Sequence, residues 1–188
     1  MTTALILIDV QQSFRARPYW SESGAQAFLD RCNALVRGAV AAGLPVVRVL
    51  HSDGPETADN PFSMISGQVR ALDGLVDFEP ALTVIKHRHS ALVGTPLPQW
   101  LRQQGIARLI IAGIRTEQCC ETTTRHASDE GWQVDFCGEA TLTFDMRTPA
   151  GEVLSAAAIR ERTETVLVDR FCQLVGVAQA LARAAEPR

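Results

Sequence analysis

The sequence predicts an α/β fold of three layers (α/β/α), in which a parallel sheet of about six strands carries helices on both faces. Short apolar runs that suit buried strands alternate along the chain with longer amphipathic runs that suit helices. Hydrophobic residues make up 46% and charged residues 21% of the 188 residues, so one sizeable core is expected. Because no repeat or linker interrupts the alternation, we predict a single domain over residues 1–188.

The predicted strands are the short apolar runs. Residues 4–9 form a continuous apolar run that ends in a carboxylate, which is typical of a strand buried on both faces. Ligands bind parallel sheets at the carboxyl ends of the strands, so the residues found there are candidates for a site. The other predicted strands cover residues 45–50, 82–86, 109–112, 133–137 and 165–168, and the candidates are Asp9, His51, Lys86, Gly113 and Glu139.

The predicted helices fill the intervals between strands. The first covers residues 24–42, where apolar residues recur at helical spacing before Gly43, a residue type that commonly ends helices. The stretch 53–80 carries turn signals and no regular period, and we expect it to shape the pocket. The other predicted helices cover residues 94–104, 116–130, 153–160 and 171–184, and the last is apolar enough to pack on its own sheet or on a second copy of the chain.

The charge balance and the lengths of the apolar runs exclude several classes of partner. The net charge is -3 with no basic face, which favours neither nucleic acid nor an anionic membrane surface. No apolar run approaches the ~20 residues of a membrane-spanning helix. The first residues lack the basic region of a signal peptide. We therefore predict a cytoplasmic protein that acts on a small molecule.

The five cysteines predict reduced thiols rather than disulfides or a zinc site. Their number is odd, and no pair of Cys-x-x-Cys motifs is present. Cys119 and Cys120 are adjacent, which is a poor geometry for a mutual disulfide. Cys120 is either a buried neighbour of Cys119 or a second thiol for redox chemistry. We predict neither a metal nor a cofactor.

Cys119 is the strongest candidate nucleophile. Thr116 suits a helix N-cap, which places Cys119 in the first turn, where free backbone N–H groups and the helix dipole favour a thiolate. An ammonium at Lys86 would lower the pKa of the thiol further, and Asp9 would act as the base that takes its proton. Each residue also has an ordinary alternative role, as a helix-capping carboxylate, a solvated lysine or a packed thiol.

Three segments resemble the signature of the isochorismatase-like cysteine hydrolases. Residues 112–122, AGIRTEQCCET, with the following Ala and Gly of the helix, are similar to the family's nucleophile motif. Residues 4–14, ALILIDVQQSF, resemble its first strand with the catalytic Asp, and residues 84–91, VIKHRHSA, resemble its lysine strand. Residues 139–141, EAT, are similar to its acidic segment after the fifth strand. The resemblance implies a Rossmann-like sheet.

The family resemblance also implies the parts of an active site. The catalytic triad would be Asp9, Lys86 and Cys119. A cis peptide bond would join Ile114 to Arg115, and the backbone N–H groups of Arg115 and Cys119 would form the oxyanion hole. The resemblance implies a homodimer or a homotetramer.

Two features separate this sequence from the nicotinamidases of the family. Those enzymes carry an Asp-x-His metal motif, whereas this chain has His51-Ser-Asp53 in the corresponding region, so we expect no nicotinamidase activity. His87 and His89 are two residues apart, which favours one inward and one outward side chain over a metal site. The candidate pocket residues, for which packing in the core or at a subunit interface is the alternative, are Phe14, Trp20, His51, Arg115, Glu117 and Phe144.

These observations predict a cysteine-dependent hydrolase that cleaves an amide, carbamoyl or related C–N bond of a small molecule through a thioester. The enzymatic alternative is an isochorismatase-type vinyl-ether hydrolase, in which Asp9 is the acid and no covalent intermediate forms. The alternative from another class is a non-catalytic redox or binding protein on the same fold. The sequence does not identify the substrate.

Overall fold

A computed structural model describes residues 2–186 and confirms the predicted three-layer α/β fold. Within these residues, the strands are β1 (Thr3–Ile8), β2 (Val46–His51), β3 (Leu82–Lys86), β4 (Arg108–Ile114), β5 (Gln133–Leu142), β6 (Met146–Arg147), β7 (Val153–Leu154) and β8 (Gln173–Leu174). The α-helices are α1 (Glu22–Ala41), α2 (Leu97–Gln103), α3 (Glu121–Asp129), α4 (Ala156–Leu167) and α5 (Val177–Ala184). The predicted domain includes residues 1, 187 and 188, which lie outside the described residues.

The main sheet of the described chain has six parallel strands in the order β3-β2-β1-β4-β5-β8. A central strand such as β1 is covered on both faces, which explains why all six of its residues are buried. Its alternate side chains enter two separate cores. The sheet therefore places the carboxyl ends of β1, β2, β3 and β4 side by side at one edge.

The two cores define the layers. Leu5 and Leu7 of β1 pack in a core that α1 and α5 cover, whereas Ile6 and Ile8 pack in a core that α2, α3 and the end of α4 cover. The helix α5 packs on its own sheet, which answers the question that its apolar sequence leaves open. Its Leu181 rests on Gly38 of α1, where an added Cβ would lie 2.3 Å from Leu181 Cδ1.

The predicted sixth strand, residues 165–168, is wrong. Most of this segment is the end of α4, in which Ile159, Thr163 and Leu167 are buried at intervals of four residues, as one helix face requires. The helix predicted at 153–160 accordingly begins later and runs further. The sixth strand of the sheet is β8, two residues long, which occupies the start of the helix predicted at 171–184.

Gly113 fixes the approach of β4 to β1 beside the site. It has φ +134°, and an added Cβ would lie 1.9 Å from the carbonyl oxygen of Ile8. Only glycine fits this contact and this backbone conformation. The register of β4 on β5 shifts between Ile111 and Gly113, as at a β-bulge. In the part of the chain that the structure describes, no helix is long and apolar enough to cross a membrane.

Candidate active site

Asp9, Lys86 and Cys119 meet at the carboxyl edge of the sheet. Lys86 Nζ lies 2.7 Å from Oδ2 of Asp9 and 3.3 Å from Sγ of Cys119. The side chains of Asp9 and Lys86 are 0% exposed, and Cys119 is 7% exposed. Buried charges of opposite sign in direct contact stabilise each other, because the interior screens their attraction weakly. The arrangement brings a carboxylate, an ammonium and a thiol into one contact group.

Asp9 stands in the turn that follows β1. Its φ is +53°, its N–H donates to the carbonyl of Val49 at 2.8 Å, and its own carbonyl accepts the N–H of Gln11 at 2.8 Å. Aspartate tolerates this left-handed conformation better than most residues. These backbone hydrogen bonds hold the carboxylate at the end of the strand.

Cys119 lies in a π-helical turn, Thr116–Cys120, that connects β4 to α3. The N–H of Cys120 donates to the carbonyl of Arg115 at 3.2 Å, five residues back, which defines the wider turn. The predicted N-cap at Thr116 is wrong, because the preceding Arg115 occupies the extended cap position. The hydroxyl of Thr116 instead donates to Oγ1 of Thr141 on β5 at 2.8 Å. Turns of this kind recur at functional sites.

The expected lowering of the Cys119 pKa is also wrong. Burial, together with the nearby Asp9 carboxylate, raises the pKa of Cys119 to about 12, and the opposing effect of Lys86 is smaller. The sequence indicates that Cys119 lies near the start of a helix, but it does not indicate how deeply the thiol is buried. A raised pKa favours the protonated thiol at neutral pH, and a thiol in this form needs a base to act as a nucleophile.

The pKa values of Asp9 and Lys86 both shift upward. Burial raises the pKa of Asp9, although the Lys86 ammonium opposes the shift. Burial alone would lower the pKa of Lys86, but the Asp9 carboxylate and Cys119 outweigh it and raise the pKa. Lys86 is therefore an ammonium at neutral pH, and Asp9 is a stronger base than an exposed aspartate.

A cavity of about 280 Å³ opens above this group. Asp9 and Cys119 form its floor, and aromatic rings and polar groups line the rest. A volume of this size suits a small molecule rather than a polymer. The lining residues are Asp9, Phe14, Arg17, Tyr19, His51, Asp53, Gly54, Pro55, Asn60, Phe62, His89, Gln118 and Cys119.

Two of the predicted pocket residues line this cavity and the others do not. Phe14 and His51 line it, and the ring of Phe14 packs edge-on against Phe62 with the centroids 5.1 Å apart. Trp20 and Phe144 stand outside it because they pack on each other, with centroids 5.6 Å apart. The interpretation of these two rings as packing residues therefore fits their positions.

Arg115 and Glu117 form a buried ion pair outside the cavity lining. Nη2 of Arg115 lies 2.9 Å from Oε1 of Glu117, and both side chains are 9% exposed. The guanidinium also lies over the rings of Tyr19 and Phe144, at 5.0 and 5.7 Å from their centroids. The pair thus holds the start of the π-helical turn against the aromatic residues. The peptide bond between Ile114 and Arg115 is cis.

The three histidines near the site have different positions. The ring of His51 contacts Lys86 through Nδ1, at 2.8 Å from Nζ, and faces the cavity. His89 is on the cavity wall. The ring nitrogen Nδ1 of His87 lies 2.9 Å from the carbonyl of Ser52, and His87 does not line the cavity. His87 and His89 thus point to different environments.

Comparison with known proteins decides the family. A family model described as the isochorismatase domain matches residues 3–167, which is most of the chain. The chain belongs to the isochorismatase family. Its members are hydrolases, so the predicted class of enzyme and the predicted family are both confirmed.

Relatives within the isochorismatase family match the chain over nearly its full length. A streptothricin hydrolase from Streptomyces noursei is 30% identical, covering 98% of this chain and 72% of the relative. A ureidoacrylate amidohydrolase from Klebsiella pneumoniae is 25% identical, covering 99% and 92%. The crystal structure of an isochorismatase from Pseudomonas putida has a TM-score of 0.82 and 26% identity, covering 94% of this chain and 89% of that one.

The stretch 53–80 forms part of the cavity wall of this isochorismatase-family protein, as the sequence predicts, but the sequence does not indicate which of its residues do so. Several wall residues come from the stretch 53–80, in which Glu56 accepts hydrogen bonds from Ser63 Oγ at 2.9 Å and from the N–H of Met64 at 3.1 Å. Asn60 donates to the carbonyls of Asp53 and Pro55. The signal that was available is the Asn60-Pro61 turn, since such turns position loops at the surface. The wall residues that lie outside this stretch and that the sequence does not indicate are Arg17, Tyr19, His89 and Gln118.

Proposed function

We propose that this protein hydrolyses an amide, carbamoyl or related C–N bond of a small molecule through a thioester on Cys119. One observation carries the proposal: the Lys86 ammonium touches both a buried carboxylate and a buried thiol, at 2.7 and 3.3 Å, beneath a cavity. The names of the relatives agree with it, since ureidoacrylate amidohydrolase denotes cleavage of an amide-type bond. The triad and the thioester are the new content of the proposal.

The first half-reaction transfers the acyl group to sulfur. Asp9 takes the thiol proton as Sγ of Cys119 attacks the carbonyl carbon, and the π electrons of the carbonyl move to its oxygen. The backbone N–H groups of Arg115 and Cys119 are the proposed donors to that oxyanion. When the C–N bond breaks, the leaving nitrogen takes the proton from Asp9. Lys86 stays protonated and offsets the negative charge that passes between Cys119 and Asp9.

The second half-reaction returns the enzyme to its starting state. Asp9 takes a proton from water as the water oxygen attacks the thioester carbon, and the C–S bond then breaks. The sulfur leaves as a thiolate and takes back the proton held by Asp9. The high pKa of the free thiol explains why the same carboxylate is needed in both halves.

A hydrolysis screen tests the proposal. Small amides, ureides and carbamoyl compounds are incubated with the protein, and released ammonia is measured. We expect turnover for at least one class, and a loss of about 10³-fold or more in both Cys119→Ala and Cys119→Ser. The serine variant is the matched control, because it keeps a hydroxyl of similar size in place of the thiol.

The alternatives give different results in the same assay. A thioester adduct on Cys119, trapped by rapid acid quench and detected by mass spectrometry, supports the covalent route. Full activity of Cys119→Ala on a vinyl ether, with dependence on Asp9, would establish the isochorismatase-type route instead. Oxidation of Cys119 without turnover of any compound would leave the redox or binding alternative.

A further inference from the structure

We propose that His51 is a substrate-binding residue whose neutral ring, with its proton held on Nε2, donates a hydrogen bond to a carbonyl oxygen of the substrate. The inference rests on the proposed function for the identity of the reacting thiol. It adds a recognition group on the cavity wall and a chemical requirement for the substrate, namely an acceptor oxygen within reach of Nε2.

The tautomer of His51 follows from the contacts of Lys86. Nζ of Lys86 is in contact with Asp9 Oδ2 at 2.7 Å, Cys119 Sγ at 3.3 Å and His51 Nδ1 at 2.8 Å. An ammonium has three N–H donors and no acceptor, so Nδ1 of His51 must accept. A neutral imidazole that accepts at one nitrogen carries its proton on the other. The remaining proton of His51 is therefore on Nε2.

The position of the His51 ring is fixed from its backbone side. The N–H of His51 donates to Oε1 of Gln11 at 2.7 Å, and Nε2 of Gln11 donates to the carbonyl of His51 at 2.9 Å. Gln11 is fully buried and also donates to Ser13 Oγ at 2.9 Å. This two-point contact ties the end of β2 to the turn after β1. The backbone of His51 is thus held in place and the contact of Nδ1 with Lys86 orients the ring, which lowers the entropic cost of binding.

Nε2 is the ring nitrogen of His51 that Lys86 does not contact, and the residue lines the cavity. The side chain is 12% exposed and lines the cavity that holds Cys119. The carboxylate of Asp53 lies close to Nε2, but its Oδ2 is 3.9 Å away, which is beyond hydrogen-bond distance. The other oxygen of Asp53, Oδ1, accepts the N–H of Gly54 at 2.8 Å, and the side chain is 70% exposed. An acceptor oxygen of the substrate can therefore take the Nε2 proton.

Burial and the neighbouring Lys86 ammonium keep the His51 ring neutral. Burial and the Lys86 ammonium lower its pKa to about 4, and the opposing Asp53 carboxylate has a smaller effect. The charges of His89 and His87, which follow β3, lower the pKa slightly further. A neutral donor suits an uncharged carbonyl oxygen, such as that of a ureido or carbamoyl group, because no buried charge is left unpaired.

The tautomer is tested without a substrate. Two-dimensional ¹⁵N–¹H spectra of the histidine rings distinguish the protonated ring nitrogen from the unprotonated one, and His51→Asn assigns the signal. We expect the Nε2-protonated form to persist without titration over about pH 5.5–8.5. A His51 ring that titrates near its ordinary pKa, or one protonated on Nδ1, would overturn the inference while leaving the proposed hydrolase function intact.

The donor role is tested with two matched variants and two alkylating probes. Asn at position 51 keeps an acceptor for Lys86 near the position of Nδ1 but lacks a donor at Nε2, whereas Gln places an N–H near Nε2. Iodoacetamide carries a carbonyl oxygen and iodoethane carries no acceptor. We expect His51→Asn to lower the ratio of their alkylation rates at Cys119 by about tenfold, and His51→Gln to retain it.

A change in the reactivity of the thiol alters both alkylation rates equally and cancels in their ratio. A purely structural role of His51 would therefore leave the ratio unchanged. An unchanged ratio in His51→Asn would overturn the donor role. With a substrate from the ammonia screen, the same variants should separate KM from kcat, since His51→Asn should raise KM by about tenfold with a smaller effect on kcat. If the screen finds no substrate, the proposed function fails while the probe ratio still decides the role of His51.

Discussion

At the scale of single residues, the proposed mechanism makes the reaction of Cys119 depend on a base rather than on a free thiolate. Asp9 and Lys86 are both fully buried, and they form an ion pair at 2.7 Å. The Asp9 carboxylate raises the pKa of the thiol and, in the proposed mechanism, also accepts its proton. In this proposal, Asp9 keeps the thiol protonated in the free enzyme and takes its proton when an electrophile is bound. This double role leads to an unusual prediction for its removal.

Asp9→Asn should make the thiol more acidic and the enzyme inactive. The substitution removes the negative charge that raises the Cys119 pKa and leaves the Lys86 ammonium, which lowers it. We expect the pH midpoint of Cys119 alkylation by iodoacetamide to fall by about one unit or more. Ammonia release from a substrate should be lost at every pH. The rates are measured by mass spectrometry of the labelled peptide.

The double variant Asp9→Asn with Cys119→Ala is the control for labelling of other thiols. Every cysteine in the described chain is free and buried, so labelling must be assigned to a peptide. A midpoint that stays unchanged or rises in Asp9→Asn would contradict the electrostatic assignment. Retained turnover would contradict the assignment of Asp9 as the base.

His51 should make the fold sensitive to acid. Its pKa is lowered from 6.5 to about 4 in the folded protein, so the unfolded chain binds the proton more tightly. The contribution of neutral His51 to stability is therefore complete above the pKa that it has in the unfolded chain. This contribution is lost as the pH falls toward the pKa that His51 has in the folded protein. We expect this loss to be up to about 2 kcal/mol between pH 6.5 and 4, after allowance for partial solvent screening.

Urea unfolding at several pH values measures the acid sensitivity of the fold. The curves for the wild type and for His51→Asn should converge as the pH falls, because only the wild type loses the contribution of a neutral His51. Parallel curves over this range would show that another group is responsible.

At the scale of secondary-structure elements, the sequence predicts those whose pattern reflects burial. The run at residues 4–9 and the helix at 24–42 show this, since β1 is buried throughout and α1 presents Phe28, Cys32, Leu35 and Ala39 to one core. Residues 82–86 were predicted with the bounds that β3 has. These elements depend on local hydrophobic spacing, which the sequence displays directly.

Elements that depend on tertiary contacts were not predictable in the same way. Residues 165–168, Thr-Val-Leu-Val, include three β-branched residues and suit a strand, yet burial of Leu167 against the sheet places most of them in α4. The hydroxyl of Thr116 bonds Thr141, which is 25 residues away, instead of capping a helix. The positions of Asp9, Lys86 and Cys119 at the ends of strands could be predicted from the sequence. The cavity wall at 53–80 could not be predicted in detail, because it is held by hydrogen bonds that leave no periodic pattern in the sequence.

Gly113→Ala should be much more destabilising than Gly105→Ala. Both glycines have positive φ, +134° and +62°, but a Cβ at Gly113 would lie 1.9 Å from the Ile8 carbonyl, whereas a Cβ at Gly105 meets nothing within 4 Å. We expect a loss of about 3 kcal/mol or more at Gly113 and about 1 kcal/mol at Gly105. Urea unfolding measures both.

The Gly113 variant should also impair the site, because the clash is with the residue before Asp9. Alkylation of Cys119 in native Gly113→Ala protein should therefore differ from the wild type, while that in Gly105→Ala should not. Equal losses of stability in the two variants would mean that backbone conformation alone, rather than the contact with β1, accounts for Gly113.

At the scale of the whole molecule, the two edges of the sheet have different chemistry. The carboxyl edge holds Asp9, Lys86 and Cys119 beneath the cavity. Toward the amino ends of the strands, Asp135 of β5 contacts Arg183 of α5 at 3.1 Å and lies 3.9 Å from Arg108 of β4. Asp135 is 1% exposed, so the pair with Arg183 ties the last helix to the sheet. The ion pair that ties α5 to the sheet is thus separate from the Asp9–Lys86 pair of the candidate active site.

This separation predicts that Asp135→Asn weakens the fold and leaves the chemistry unchanged. The substitution removes the buried counter-charge of Arg108 and of Arg183, whose side chains are 10% and 27% exposed, and we expect a loss of about 1–3 kcal/mol in the free energy of unfolding. The exposed Asp129→Asn is the control and should change it by less than about 0.5 kcal/mol. A double-mutant cycle with Arg183→Gln isolates the pair, and a coupling energy near zero would contradict its assignment.

Because Asp135 is on the opposite side of the sheet from Cys119, the alkylation rate and kcat/KM of Asp135→Asn should match the wild type under native conditions. A parallel loss of activity would mean that α5 and the reactive edge of the sheet are coupled through β5.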